Sequence, residues 1–280
     1  MNDKTFCIVI PIYKNTPDII ETISLQRLNK IIGDKNYDVY FITYDGLDIH
    51  KYIDLYPNAK ITLFDKYFFN STKTYSELCL NYDFYNRYSD YKYMYIYQTD
   101  CYICTDLLID FCNLNYDYIG SPIFSTDCGW PTITEVNGEQ HYKPVIGNGG
   151  FSLRKINTFK DILDPNGEFR QYVKLTDDIL KNVVWEDLFI CVTIAKYYNL
   201  HIAPLEIGEL FSWDMSVDVM YNLWGNHNFP MCIHAWDKNI RFWQLYLEEL
   251  KNNQEAIDFC EEKHKEFFKL YYNERNETFR

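Results

Sequence analysis

No stretch of this chain stays apolar for the length that a membrane-spanning helix needs. It does not open on a basic, apolar leader either: Met1-Asn-Asp-Lys-Thr precedes a short apolar run that stops at Pro11. Cationic surplus is missing, with 27 Lys and Arg against 40 Asp and Glu, a formal charge of −13 and a pI near 4.9. Phosphate backbones are bound by clustered Lys and Arg, so nucleic acid is not expected as the main partner. An anionic ligand would need a metal ion or helix N-termini to offset the charge. The nine cysteines are odd in number and scattered, which argues against a disulfide framework and for a reducing, cytoplasmic location. There is no internal repeat and no low-complexity linker. The simplest partition is one domain over 1–245 with a helical C-terminal extension over 246–280.

What is present is a globular composition, 47% hydrophobic and 18% aromatic over 280 residues. "TFCIVIPI" at 5–12 reads as a buried strand, followed by a helix with Thr16 as cap, Pro17 at its first position and Asp18 and Glu21 in its first turn. "YDVYFIT" at 37–43 and "KITLF" at 60–64 are further strands, with a short helix near 48–55 between them and a helix over 72–88 after them. "YMYIY" at 93–97 is a strand, then a helix over 105–113 capped by Thr105, then a strand at 116–120. This alternation implies an α/β fold with a mostly parallel central sheet, whose inner strands read as unbroken apolar runs. Beyond residue 128 the pattern is less regular. It gives a polar loop or hairpin over 129–144, a strand with a glycine turn over 145–155 and an amphipathic helix over 186–198. A loop and strand over 225–236 follow, then a charged helical stretch from Lys238 to about Tyr272.

In open α/β sheets, ligands bind outside the carboxyl ends of the strands. Pro11-Ile12-Tyr13, Tyr44-Asp45-Gly46 and Gln98-Thr99-Asp100 all fall at such ends. Asp100 reads either as a turn or cap residue, or as a ligand for Mg²⁺ or Mn²⁺, which prefer hard oxygen donors. Cys101 and Cys104 form a C-x-x-C, but no second pair exists, and two buried cysteines are the favoured reading over a redox motif. Gly147–Gly150, "GNGG", reads as a tight turn or as backbone able to approach a ligand. Glu186-Asp187 opens a helix, where acids are favoured, and either carboxylate could act as a general base. His234 in "CIHAW" is a core histidine or a nitrogen ligand for a cation held by Asp100. Trp130, Trp185, Trp213 and Trp236 are expected in the core.

The order of these segments is more specific than any one of them. "YSELCLNYDFYNRYSDYKYMYIYQTDCYI", "YDYIGSPIF", "VIGNGGFSLRK", "WEDLFI", "IAPLEIGELFSWD" and "PMCIHAW", together spanning about 75–236, resemble the nucleotide-sugar-dependent glycosyltransferases of the GT-A fold. The nearest resemblance is to a bacterial-type branch, a glycosyltransferase domain of undetermined function. The opening "FCIVIPIYKN" is similar to the first strand of many GT-A enzymes. The resemblance implies a Rossmann-like sheet flanked by helices, a UDP-sugar donor, a Mn²⁺ or Mg²⁺ ion, and a glycan or lipid-linked acceptor. It puts Gln98-Thr99-Asp100 in the place of the Asp-x-Asp metal motif, with Gln98 replacing the first Asp and Asp100 retained. His234 matches a late metal ligand. Pro11, Tyr13 and Asp45 match positions that contact base and ribose, and Gly149 and Gly150 a turn beside the donor sugar. Asp187 matches the catalytic base of inverting members, with Glu186 beside it on the acceptor side.

The expected activity is therefore transfer of a sugar from a UDP-sugar to an acceptor hydroxyl with inversion, in surface-glycan synthesis. A retaining transferase, in which Asp187 binds the sugar, is the alternative within the same chemistry. A non-catalytic nucleotide-sugar or glycan-binding module is the alternative outside it. The C-terminal "KHKEFFKLYYNERNETFR" mixes basic and aromatic residues and reads as a helix for a membrane surface, for a homodimer interface or for the protein's own core. Glu261, Glu262 and Glu266 dilute its positive charge and favour the last two.

Overall fold

A computed structural model describes residues 4–123, 133–136, 139–142, 145–214, 217–224 and 229–265. The central sheet has the order β3-β2-β1-β4-β11-β6. Its strands are β1 (Lys4–Pro11), β2 (Asp38–Tyr44), β3 (Lys60–Phe64), β4 (Tyr91–Tyr97), β6 (Tyr118–Ile119) and β11 (Phe151–Lys155). β1 runs parallel to β2 and to β4, β2 is parallel to β3, and β11 is antiparallel to both β4 and β6. The sheet is thus mostly parallel, as the alternation of elements predicts, and the carboxyl ends of β1, β2 and β4 share one edge.

Period-two alternation explains the burial of both faces. Phe6, Ile8, Ile10 and Ile12 join Tyr93, Tyr95 and Tyr97 in one core layer, while Cys7 and Val9 join Met94 and Ile96 in the other. The three tyrosines of β4 are tolerated inside because their hydroxyls find partners. Tyr93 donates to Asn115 Oδ1 at 3.1 Å, Tyr95 to the Leu108 carbonyl at 2.6 Å and Tyr97 to the Cys101 carbonyl at 3.0 Å.

Several expected boundaries move. Helix α1 (Ile19–Ile32) is capped by Asp18, not Thr16. Asp18 accepts from the amides of Ile20 and Glu21, and the Glu21 carboxylate accepts from the Asp18 amide, a reciprocal box that Thr16 cannot form because the residue three on from it is Ile19. After α2 (His50–Leu55), the helix expected over 72–88 is two pieces, α3 (Thr72–Cys79) and α4 (Tyr82–Asn86). Asn81 breaks it by accepting from the Asp83 amide. Thr105 caps nothing: α5 (Leu108–Asn113) starts later, and Asp106 Oδ1 accepts from the Leu108 amide. The helix expected over 186–198 is one α turn, Glu186–Leu188, then a π turn, Phe189–Thr193, then a 3₁₀ turn, Ile194–Lys196. β-branched Ile190, Val192, Thr193 and Ile194 weaken its regular winding.

The second half wraps the carboxyl edge. Short β5 (Tyr102–Ile103) pairs with β13 (Cys232–Ile233), and β13 with β12 (Ser212–Trp213). β7 (Ser121–Ile123) pairs with β10 (Val145–Gly147), and β8 (Ile133–Val136) with β9 (Glu139–Tyr142) as the expected hairpin. Trp213, Trp236 and Trp243 are buried with Ile20 and Ile23 of α1 and with Ala256, Ile257 and Cys260 of the helix Gln254–Lys263. The described part of the C-terminal stretch therefore packs on the core; residues 266–280 lie outside the described residues, as does Trp130. Trp185, expected in the core, is 46% exposed because it sits at the outward start of the Glu186 turn. Among the described residues no helix is long and apolar enough to cross a membrane.

Phe211 ties this wrapping to the sheet, stacking on Phe151 at 4.8 Å and meeting Phe111 edge-on at 5.0 Å, with no exposed surface. Phe211→Ala should cost about 3–5 kcal/mol in urea unfolding at an unchanged m-value, the range for a large core truncation.

Candidate functional site

At the carboxyl ends of β1 and β4 lies an open cleft of about 420 Å³. Pro11 and Tyr13 line it from β1, and Gln98, Thr99 and Asp100 from β4. Asp18 and Glu21 at the start of α1, Asn70–Thr72 and Tyr75 around α3, and Lys263 complete the wall. Tyr13 is 53% exposed, with Lys14 Nζ over its ring at 5.8 Å from the centroid. Asp45 is exposed at the end of β2 beside Gly46 and is not among the lining residues.

The strand register places His234. Cys232 and Ile233 pair with Ser212 and Trp213 on one side and with Ile103 and Tyr102 on the other. The next step along β13 therefore sets His234 between Asp214 and the Asp100-Cys101 corner. Its Nδ1 lies 3.2 Å from Asp214 Oδ1, and its Nε2 lies 3.3 Å from both Asp100 Oδ1 and Gln98 Oε1. Burial opposes the imidazolium, yet Asp100 and Asp214 hold the ring's proton affinity well above the ordinary histidine value. Burial likewise opposes ionisation of Asp100, and His234 outweighs it, so the carboxyl sits below its usual range. Asp100 Oδ1 is enclosed and faces Nε2 without completing a hydrogen bond.

That orphaned oxygen is where a cation fits. Asp100, Cys101 and His234 bring one ligand atom each within 4.8 Å of one another. Ligands at right angles around a Mg²⁺-sized ion stand about 3.0 Å apart, close to the spacing seen here. Asp100 Oδ1, Gln98 Oε1 and His234 Nε2 form a hard oxygen and nitrogen set, while Asp214 on Nδ1 would hold the tautomer that leaves Nε2 free. Cys101 is a poor fourth ligand: burial pushes its thiol well up, and its Sγ lies 3.4 Å from the Gly150 carbonyl. Cys104 is pushed up to about 12 by burial, so neither cysteine of the C-x-x-C is a ready thiolate.

The glycine turn joins this corner to the acidic pair. The Gln98 amide donates to the Gly150 carbonyl at 2.8 Å. A Cβ on Gly150 would stand 2.0 Å from His234 Nε2, and one on Gly149 would stand 2.3 Å from Glu186 Oε1. Only residues without side chains fit between these groups. Asn148 takes a left-handed φ of 71° and folds its Oδ1 onto the Gly150 amide at 2.9 Å. Ala235, next to His234, is also left-handed at φ 49°, a strain of the kind that collects at functional sites.

Glu186 and Asp187 are both buried behind that turn. Glu186 Oε1 accepts from Arg154 at 2.9 Å and Oε2 from Ser76 at 3.1 Å. Arg154 itself is fully buried and also donates to Tyr85 and Ser152 at 3.0 Å each. Asp187 Oδ2 accepts from the Asn148 amide at 2.7 Å. Burial, and then the negative neighbour Glu186, push the Asp187 carboxyl up to about 6. A π turn, a form frequent at functional sites, follows at once over Phe189–Thr193.

The structure thus brings Gln98, Asp100, Gly149, Gly150, Glu186, Asp187 and His234 into one assembly, with Pro11, Tyr13 and Thr99 in the adjoining cleft. Sequence reasoning passed over Asp214, whose signal was a strand-end acid like Asp100. It gave Glu21 only a helix-turn role. Glu21 is buried and joins Thr99 at 2.9 Å, Tyr52 at 3.2 Å and Lys14 at 2.9 Å, which anchors the Gln98-Thr99-Asp100 corner. Lys263 had no signal, because 163 residues of chain separate it from Asp100.

Because folding raises the Asp187 carboxyl from its ordinary value of 3.8 to about 6, the folded state takes up a proton between those values. Its contribution to stability is fully present below about pH 4 and is lost as pH rises through about 6. The stability difference between wild type and Asp187→Asn should therefore fall over that window in urea titrations, and a flat difference would rule out the raised carboxyl.

Residues 58–234 match the profile of DUF5672, a protein family of unknown function. No curated protein matches the sequence. Among solved structures, mouse xyloside xylosyltransferase 1 in its apo form superposes with a TM-score of 0.51 at 10% identity, over 83% of this chain and 97% of that one. The bifunctional glycosyltransferase WbbM in its apo form gives 0.49 at 12% identity, over 83% of this chain and 46% of that one. The galactosyltransferase LgtC, solved with donor and acceptor sugar analogues, gives 0.45 at 12% identity, over 81% and 86%. At such identities the likeness concerns the fold. The chain belongs to the DUF5672 family and has the GT-A-like fold of glycosyltransferases.

Proposed function

We propose that this protein is a nucleotide-sugar-dependent glycosyltransferase that moves a sugar from a UDP-sugar to a hydroxyl of a glycan or lipid-linked acceptor. The observation that carries this reading is the convergence of Asp100 Oδ1, Gln98 Oε1 and His234 Nε2 at a strand end whose Gln98 and Asp100 also line the cleft. The exposed ring of Tyr13 offers a stacking face for the base, and Pro11 shapes the wall beside it. Asp100, His234 and Gln98 would hold Mn²⁺ or Mg²⁺, which neutralises charge on the departing diphosphate.

In the inverting form of the reaction, the acceptor oxygen bonds to the anomeric carbon while the bond from that carbon to the diphosphate oxygen breaks. The acceptor proton passes to Asp187, whose raised carboxyl suits a base working near neutrality. Glu186, tied to Arg154, positions the turn and is not itself the base. A second reading has support in Asp187 Oδ2, which is occupied by the Asn148 amide at 2.7 Å, and in its absence from the cleft lining. In that reading Asp187 holds the turn that cradles the sugar, and transfer retains configuration.

Calorimetric titration of UDP, GDP and CDP with and without Mn²⁺ is the test. UDP should bind in a Mn²⁺-dependent way, and Asp100→Ala should weaken it tenfold or more, the scale of one charge-assisted contact, about 1.5–3 kcal/mol. Failure of all three nucleotides to bind the wild type would sink the transferase reading. With a donor in hand, Asp187→Asn should lower kcat about 10²- to 10⁴-fold if it is the base. A smaller loss, with the product's anomeric configuration retained, would favour the second reading.

A further inference from the structure

The cleft is short of positive charge. Its described lining carries three carboxylates, Asp18, Glu21 and Asp100, and one cationic side chain, Lys263. Lys14 already balances the first two, with its Nζ 2.9 Å from Asp18 Oδ2 and 2.9 Å from Glu21 Oε2. His234 serves the third. A diphosphate entering this cleft meets an acidic wall, and the metal set there has an amide, Gln98, where a second carboxylate would bind the ion more firmly. A cationic side chain facing the ligand would offset that wall.

We infer that Lys263, brought to the cleft by the helix Gln254–Lys263, is a direct partner of the donor's diphosphate, with Asp237 as the residue that positions it. This inference rests on the donor-site reading above. Lys263 Nζ stands 2.9 Å from Asp237 Oδ2, and the lysine side chain is 40% exposed while Asp237 is buried. The same Asp237 oxygen lies 2.7 Å from His264 Nε2. When Lys263 turns toward a phosphate, His264 Nε2 stays within hydrogen-bond distance of the buried carboxylate. Burial works against the ammonium, but Asp237, Asp18 and Asp100 raise its proton affinity above the ordinary lysine value, so it is charged at neutral pH. A lysine suits this task, since its flexible stem carries a point charge that reaches for phosphate oxygens without a fixed angle.

The helix is seated well enough to deliver the charge. Ala256, Ile257 and Cys260 are buried against Ile20 and Ile23 of α1 and the tryptophans Trp236 and Trp243. α1 begins at the cleft, so the two helices that wall it on this side share one apolar contact. The C-terminal stretch is then part of the donor site and not an appendage of it.

Affinities for UDP, UMP and uridine, measured with Mn²⁺ on wild type, Lys263→Gln and Lys263→Arg, test this. Lys263→Gln should weaken UDP about tenfold or more while changing uridine less than twofold, and Lys263→Arg should recover most of the loss. If wild type binds UDP and Lys263→Gln weakens UDP and uridine equally, or neither, Lys263 only clamps Asp237 and the inference fails while the donor site stands. If wild type binds no nucleotide, both fall. Should Lys263→Gln not fold, acylation of wild-type amines followed by mass spectrometry decides instead. UDP should shield Lys263 from modification and uridine should not, and equal labelling under both overturns the assignment.

Discussion

Two glycines in the turn before β11 stand where any side chain would collide, and the rest of the site depends on that lack of bulk. Gly150 admits the imidazole of His234, and Gly149 admits the carboxylate of Glu186. The turn is held from below by the Gln98 amide and from behind by Asp187 on the Asn148 amide. One short piece of backbone thus fixes the distance between the candidate cation corner and the acidic pair. Groups from the end of β4 and from β13 meet each other on one side of it, and the Glu186 turn meets it from the other.

The support behind the turn is electrostatic and costly. Arg154 and Glu186 are both withdrawn from water, and such a pair adds little net stability over apolar residues of the same shape. The bonds of Arg154 to Tyr85, Ser152 and Glu186, with that of Ser76 to Glu186, instead fix a single position for the carboxylate. Glu21 plays the same part on the other side of β4, where it satisfies its own helix start and at the same time holds Thr99. Both acids sit in first turns of helices, so a bland capping role and a site-building role coincide in the same side chains.

Charge explains why the two halves of the chain need each other. A strongly acidic protein with a cleft rimmed by carboxylates can hold an anion only if cations are brought in. The sheet half supplies Lys14, which is already spent on Asp18 and Glu21. The later half brings Lys263 to the cleft and His234 to the Asp100 corner, each delivered by an element packed on the tryptophan layer.

Much of the architecture was legible in local pattern. Unbroken apolar runs gave the central strands, and the polar break after Tyr97 marked the ligand-facing strand end, because a buried strand has no use for Gln98 and Asp100. The glycine turn and the Glu186-Asp187 pair stood out for the same reason: they are residue types that a core does not need. Boundaries that hinge on competition between side chains were not legible, such as Asp18 over Thr16 as a cap, the break at Asn81 and the π turn after Leu188. Nor was the pairing of His234 with Asp214, which is set by the register of β12 against β13. The amino-acid order by itself determined which segments form the sheet and which polar residues lie at its carboxyl edge, since both follow from periodicity and burial. Only the tertiary structure decided which of those residues meet, and with what proton affinities, because distance, desolvation and neighbouring charge come from packing segments that lie far apart along the chain.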